Sequence, residues 1–231
     1  MGFFTSAIIA ASGNSTRMGF KYSKQFIDLN GKTVIERTLM AFENCDLIDE
    51  IIVVCREIDR DEIMSIASKF SKFKAVVRGG DTRDRSVMNG VTACSDEAEF
   101  FAIHDGARPL ITTDEIKSVV SRAYETKAAT LSTPVTDTIK VVDENDIITS
   151  TPNRAQLRAV QTPQVFEKEL YLRAIDNAVK NNLSVTDDCS MVEALSEKVE
   201  VVTGSAENIK LTTAIDIVIA KAILDSRNTE E

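Results

Sequence analysis

Thr5-Ser6-Ala7-Ile8-Ile9-Ala10-Ala11-Ser12-Gly13-Asn14-Ser15-Thr16-Arg17-Met18-Gly19 is the stretch that decides the fold. Its first part, residues 5–11, is a short apolar run that passes straight into small residues and glycine. A run of that length bounded by turn residues reads as a buried strand. The small residues after it let backbone approach a ligand closely, and successive N–H groups in such a loop form an anion nest. Arg17 adds a guanidinium within the loop, and Lys24 follows seven residues later. In an open parallel α/β sheet, ligands bind outside the carboxyl ends of the strands, which is where this loop falls. Two familiar loops are excluded. Gly13 and Gly19 enclose five residues and Phe20 follows, so there is no Walker loop, and G-x-G-x-x-G is absent. Taken alone, the loop is equally a strand-to-helix turn carrying an exposed arginine.

Outward from it, apolar runs alternate with helical patterns. Strands are predicted at 50–55, 74–77, 99–104 and 129–134. Helices are predicted near 33–44, 59–70, 84–94 and 114–126, with Thr33, Asp59 and Thr113 as N-caps. The alternation predicts an α/β, Rossmann-like three-layer sandwich: a mostly parallel sheet with helices on both faces. After Pro134 the pattern changes. Thr138–Val142 and 147–149 flank Asp143-Glu144-Asn145-Asp146, which reads as a β-hairpin with an Asx turn. Residues 136–160 are too polar for a core element and are expected to project as an arm. Helices near 168–181, 187–194 and 213–225 and a strand at 198–203 complete a single domain, 1–231.

Composition narrows the function. The chain has 231 residues, with 27 Lys+Arg against 36 Asp+Glu and a net charge of −9. That balance lacks the footprint of a nucleic-acid or membrane-surface binder, so any anion site must be a local basic cluster. One histidine and four scattered cysteines, Cys45, Cys55, Cys94 and Cys189, exclude a zinc finger or disulfide scaffold. The cysteine spacing suits a reducing compartment. With no long apolar span and no positive n-region at the start, a cytoplasmic protein is expected.

Several fragments share one resemblance. Ala11-Ser12-Gly13-x-x-x-Arg17-Met18 with Lys24-Gln25-Phe26 resembles the signature of sugar- and polyol-phosphate nucleotidyltransferases. Gly79-Gly80-Asp81-x-Arg83-x-x-Ser86-Val87, His104-Asp105-Gly106-Ala107-Arg108-Pro109, Pro134-Val135-Thr136-Asp137-Thr138-Ile139-Lys140, Ala159-Val160-Gln161-Thr162-Pro163-Gln164, Thr186-Asp187-Asp188 and Asn208-Ile209-Lys210 narrow it. Their order and spacing are similar to the 2-C-methyl-D-erythritol 4-phosphate cytidylyltransferases of the non-mevalonate isoprenoid pathway, from about Ala7 to Ala220.

The resemblance implies CTP and methylerythritol phosphate as substrates and pyrophosphate as a product. It implies Arg17 and Lys24 as stabilisers of the α-phosphate and leaving group. Ala11, Ser12, Gly13, Gly80, Asp81, Ser86 and Asp105 would bind the nucleotide. Asp105 would also hold Mg²⁺ or another divalent cation. Arg154 and Lys210 would position the second substrate, with Asp105, Arg108, Thr138 and Thr186 around it. In the family the arm reaches a neighbouring subunit, so a homodimer is implied, Thr138 and Arg154 completing the partner's site. His104 is read as a structural imidazole. Many relatives carry Pro where Ser23 stands. Three other readings compete: a ribitol 5-phosphate cytidylyltransferase, a non-catalytic nucleotide-binding regulator on the same fold, and a nicotinamide-dependent dehydrogenase, which the missing glycine fingerprint disfavours.

Overall fold

The computed structural model describes residues 2–13, 23–183 and 185–229. In chain order it forms β1 (Thr5–Ala10), β2 (Asp28–Leu29), β3 (Lys32–Thr33), α1 (Val34–Glu43), β4 (Glu50–Cys55), α2 (Arg60–Ala67), β5 (Phe73–Arg78), α3 (Arg83–Thr92), β6 (Phe100–Asp105), α4 (Thr113–Thr126) and β7 (Ala128–Pro134). There follow β8 (Val141–Val142), β9 (Ile148–Ser150), β10 (Arg158–Glu167), α5 (Lys168–Lys180), α6 (Asp188–Glu193), β11 (Glu200–Thr203) and α7 (Ala214–Thr229). Seven strands make the central sheet in the order β11-β7-β10-β6-β1-β4-β5. All neighbours run parallel except at β10, which is antiparallel to both β6 and β7.

Alternation along the strands builds the two outer layers. Ala7 and Ile9 of β1, Ile51 and Val53 of β4 and Ala102 of β6 pack with α1, α2 and α4. Ile8, Val54, Phe101 and Ile103 point the other way and pack with α3, α5 and α6. Because both faces are covered, β1, β4 and β6 carry nearly continuous apolar runs, which is what made them readable. A smaller third cluster seats α7 through Ala220 and Leu224 against Leu29, Val34 and Leu110.

Several details differ from expectation. The strand β10 was not predicted: Gln161-Thr162-Pro163-Gln164 interrupts its apolar pattern, and proline argues against an interior strand. Register shifts there between Val160 and Gln164. The arm reading of residues up to 160 also overlaps the sheet, since Arg158 already pairs with Pro134. Asp59 makes no side-chain cap bond to α2; Arg56 holds its carboxylate instead, at 2.7 Å. Finally, α4 is capped by Thr112, not Thr113, in a reciprocal capping box with Glu115. A β8–β9 hairpin forms with a first strand shorter than expected, starting at Val141 and not Thr138, and with Asp143 Oδ1 accepting from the N–H groups of Asn145 and Ile147.

Candidate active site

The two strands beside β1 lie on opposite sides of it, β4 and then β5 to one side and β6 to the other. The chain reverses direction of winding at β1, so a crevice opens at its carboxyl end. Register places Ala10 beside Asp105. Ala11 N–H donates to Val54 O at 2.7 Å, which fixes where the loop leaves the sheet.

The loop after β5 closes tightly on this edge. A Cβ on Gly79 would lie 2.6 Å from Ser12 Cβ, and one on Gly80 would lie 2.4 Å from Arg85 Cβ. Ser86, 2% exposed, ties the pieces together. Its hydroxyl donates to Thr82 O at 2.9 Å and accepts from Gly80 N–H at 3.1 Å and Ser12 Oγ at 3.0 Å. Ser86, expected among the nucleotide-binding residues, lines the edge with a hydroxyl that also holds the two loops to each other.

A cavity of about 710 Å³ lies over this edge, lined by Ser12, Gly13, Lys24, Gly80, Asp81, Ser86, Asp105 and Lys210 among others. Ala11 is fully buried behind that wall. A second cavity, about 530 Å³, is lined by Asp105, Arg108, Thr162, Gln164, Thr186 and Lys210 among others. Both are thus lined by the same Asp105 and Lys210. Thr138 and Arg154 line neither; Arg154 donates to Thr136 O at 2.7 Å within its own exposed segment. Arg17 lies outside the described residues.

Lys24 opens a short 3-10 turn capped by Ser23, whose buried hydroxyl accepts from Gln25 N–H. Its ammonium donates to Leu211 O at 2.8 Å, which brings it to the residue next to Lys210. Lys210 Nζ in turn lies 2.7 Å from Asp105 Oδ2, and Arg108 Nε lies 3.9 Å from the same oxygen. Burial opposes ionisation of Asp105, but the charges of Lys210, Arg83 and Arg108 outweigh it and hold the carboxyl below its usual range. Asp105 is therefore an anion at neutral pH, set among cations.

His104 is wholly buried. Its Nε2 lies 3.3 Å from the carbonyl of Arg108, so that nitrogen carries the proton. Nδ1 then accepts from the Thr162 hydroxyl at 3.0 Å, and that hydroxyl accepts from Asp105 N–H at 3.1 Å. Burial pushes the imidazole pKa down to about 4. The neutral ring is a spacer that orients Thr162 and the Asp105 backbone. Thr186 does not cap α6. Asp187 does, accepting from Ser190 N–H at 3.1 Å; Thr186, whose hydroxyl lies 3.3 Å from Ser190 Oγ, lines the second cavity.

Sequence reasoning passed over the groups that brace this wall. Gln164 Oε1 accepts from the N–H groups of Asp188 and Cys189, and its Nε2 donates to Asp187. Asp188 accepts from Tyr171 and Arg83. The available signal was polar residues in an otherwise apolar strand, which here mark a scaffold of hydrogen bonds.

Adjoining cavities, each holding at least three lysine and arginine side chains among carboxylates, at the switch point of a wound α/β sheet suit group transfer between two phosphate-bearing molecules, the work of a nucleotidyltransferase. Comparison with known proteins is specific. The family described as IspD: 2-C-methyl-D-erythritol 4-phosphate cytidylyltransferase matches residues 5–226. The cytidylyltransferase of that name from Desulforamulus reducens is 42% identical over 225 residues, 96% of each chain. That of Caldanaerobacter subterraneus is 42% identical, covering 95% of this chain and 98% of the relative. The crystal structure of the 4-diphosphocytidyl-2C-methyl-D-erythritol synthase of Anaerococcus prevotii superposes with a TM-score of 0.88 at 34% identity, over 97% of this chain and all of that one. The Thermus thermophilus enzyme gives 0.79 at 29% identity, over 97% and 100%. The chain belongs to the 2-C-methyl-D-erythritol 4-phosphate cytidylyltransferase family.

Proposed function

We propose that this chain transfers the cytidylyl group of CTP to 2-C-methyl-D-erythritol 4-phosphate, giving 4-diphosphocytidyl-2-C-methyl-D-erythritol and pyrophosphate in non-mevalonate isoprenoid biosynthesis. The carrying observation is that the glycine-loop cavity and a second cavity, which holds Arg83 and Arg108, share Asp105 and Lys210. An oxygen of the alcohol phosphate attacks the α-phosphorus of CTP, and the bond to the bridging oxygen of the β-phosphate breaks, its electron pair leaving with pyrophosphate. The second pKa of a phosphate monoester lies near ~6, so the nucleophile is already a dianion and no general base is required. That agrees with a sole histidine that is buried and neutral.

The remaining difficulty is repulsion between anions, which positioned cations relieve. Lys24 in the first cavity and Arg17 of the loop are assigned to the α-phosphate and the leaving group. Lys210 and Arg108 are assigned to the incoming phosphate, with Thr186. Gly80, Asp81 and Ser86 are assigned to the cytosine end, Ser12 and Gly13 to the phosphates. Among the described residues there is no group of three or more His, Cys, Asp or Glu able to hold a metal. A single carboxylate, Asp105, fits the share of a hard cation's shell that a protein supplies when phosphate oxygens supply the rest. Mg²⁺ or a similar cation bound there neutralises phosphate charge.

The homodimer reading is supported by the arm. Val141, Val142, Ile147 and Ile148 are 45–62% exposed on it, and Thr138 and Arg154 line neither cavity of their own chain. A second copy covering the arm gives these residues a site to complete. No helix among the described residues is long and apolar enough to cross a membrane, and all four cysteines are free; both support a cytoplasmic enzyme. Pyrophosphate release is the test, with CTP against ATP, GTP and UTP, crossed with methylerythritol phosphate and ribitol 5-phosphate. Turnover confined to CTP with methylerythritol phosphate is expected. Faster turnover with ribitol phosphate, or none with any pair, overturns the reading.

A further inference from the structure

Asp105 and Lys210 are joined at the seam of the two cavities by a third shared residue, Arg83. It is the first residue of α3, yet its side chain is anchored to α6. Arg83 Nη2 lies 2.5 Å from Asp188 Oδ2. Asp188 is fully buried. Its other oxygen accepts from the Tyr171 hydroxyl at 2.6 Å, and its N–H is held by Gln164 Oε1 at 3.0 Å. A carboxylate gripped on both oxygens fixes the guanidinium that it faces. Because the guanidinium is a rigid planar fork, fixing one terminal nitrogen also fixes the other. That other nitrogen, Nη1, is buried and has no hydrogen-bond partner among the described residues. A buried N–H left unmade is costly, and a charged one more so. The side chain as a whole keeps 31% of its surface open and lines both cavities, so an anion seated at the seam meets a cation already held in place.

We propose that Arg83 binds the phosphate of the alcohol substrate at the seam, with Asp188 and Tyr171 as positioning residues. This rests on the cytidylyltransferase reading above. The second cavity is the favoured destination because the buried anchor of Arg83 belongs to the segment behind that cavity's wall, where its neighbours Asp187, Cys189 and Ser190 line the space. There Arg83 stands with Arg108 and Lys210, whereas the first cavity already offers the glycine loop and Lys24 to the triphosphate.

Steady-state pyrophosphate release, with each substrate varied in turn, tests the assignment. Arg83→Lys keeps a cation against Asp188 but lacks the second nitrogen of the fork. Its KM for methylerythritol phosphate is expected to rise by about 10- to 100-fold, the scale of one hydrogen bond to a charged group. Its KM for CTP should stay within about threefold of wild type. Asp188→Asn, which loosens the guanidinium without removing it, should raise the same constant by a smaller factor. A KM for methylerythritol phosphate within about twofold of wild type in Arg83→Lys, or equal rises for both substrates, overturns the proposal. If Arg83→Lys does not fold, the neutral pair Arg83→Gln with Asp188→Asn carries the same expectation and the same refutation. Wild-type chain that releases no pyrophosphate from CTP and methylerythritol phosphate sinks the cytidylyltransferase reading and this inference together. Active wild type with an unchanged Arg83→Lys sinks the inference alone.

Discussion

Adding one methyl group at Gly79 tests whether the nucleotide pocket depends on backbone contact between two loops. The new Cβ would stand 2.6 Å from Ser12 Cβ and 3.0 Å from both Ser12 Oγ and Ser86 Oγ. Carbon atoms settle at about 3.5–4.0 Å, so roughly 1 Å of movement is required. Gly79 cannot supply it freely, because its N–H is bound to Cys55 O at 2.8 Å. Ser86 is held by Gly80 and Thr82. Ser12 is therefore displaced toward the first cavity. Overpacking of this kind costs about 1–3 kcal/mol. Where the displaced loop must be pushed back to admit nucleotide, that cost becomes a rise of about 5- to 150-fold in the KM for CTP. A melting midpoint lower by about 2–10 °C accompanies it. Gly31→Ala is the control: Gly31 has φ +81° and lines neither cavity, so alanine there strains the β2–β3 turn alone. Thermal melts and CTP saturation curves of both variants decide the matter. Gly79→Ala with an unchanged KM for CTP, or Gly31→Ala raising it equally, refutes the reasoning.

Two further outcomes follow from the site. His104 has its pKa pushed down to about 4, against 6.5 ordinarily, so between those values the unfolded chain binds a proton that the folded chain refuses. Stability then falls as pH drops through that window, by roughly 3 kcal/mol in all; urea midpoints at pH 7, 6 and 5 should show it, and His104→Asn should flatten the slope. For the arm, Lys24→Ala and Arg154→Ala are each expected to lose about 100-fold in kcat. When the two are mixed and refolded, activity should recover toward about a quarter of wild type, since half the dimers then carry one intact site; no recovery would mean that Arg154 does not serve the neighbouring subunit.

How far the sequence could be read depended on what each segment buries. Strands β1, β4 and β6 are covered on both faces, so their apolar runs announce them. The strand β10 was invisible because Gln161, Thr162 and Gln164 are buried for their hydrogen bonds, not for their hydrophobicity. Gln161 reaches Ser205 O and Gln164 reaches Asp187. Arg83 stood in a quoted motif, yet nothing local to it could reveal a partner 105 residues downstream. Lys24 and Lys210, by contrast, were legible from their motifs, and the fold brings them to one edge through Leu211. Caps erred by one residue or by competition, as when Arg56 took the carboxylate of Asp59.

A carboxylate among phosphate sites needs a physical reason, and Asp105 has one in its neighbours. Lys210, Arg83 and Arg108 converge on it. Without a negative centre those cations would repel one another inside a chain that has folded around them. With it they are held close together before substrate arrives, so little reorganisation remains when two anionic reactants meet. The low pKa of Asp105 follows from the same cluster, and its sign matters: the carboxyl stays charged as pH falls through the range where a phosphate monoester takes up its second proton, near ~6. The seam therefore keeps its charge while the nucleophile loses one of its own. On this account the acid limb of kcat/KM belongs to the substrate's phosphate, and the enzyme's contribution is to remain unchanged beneath it.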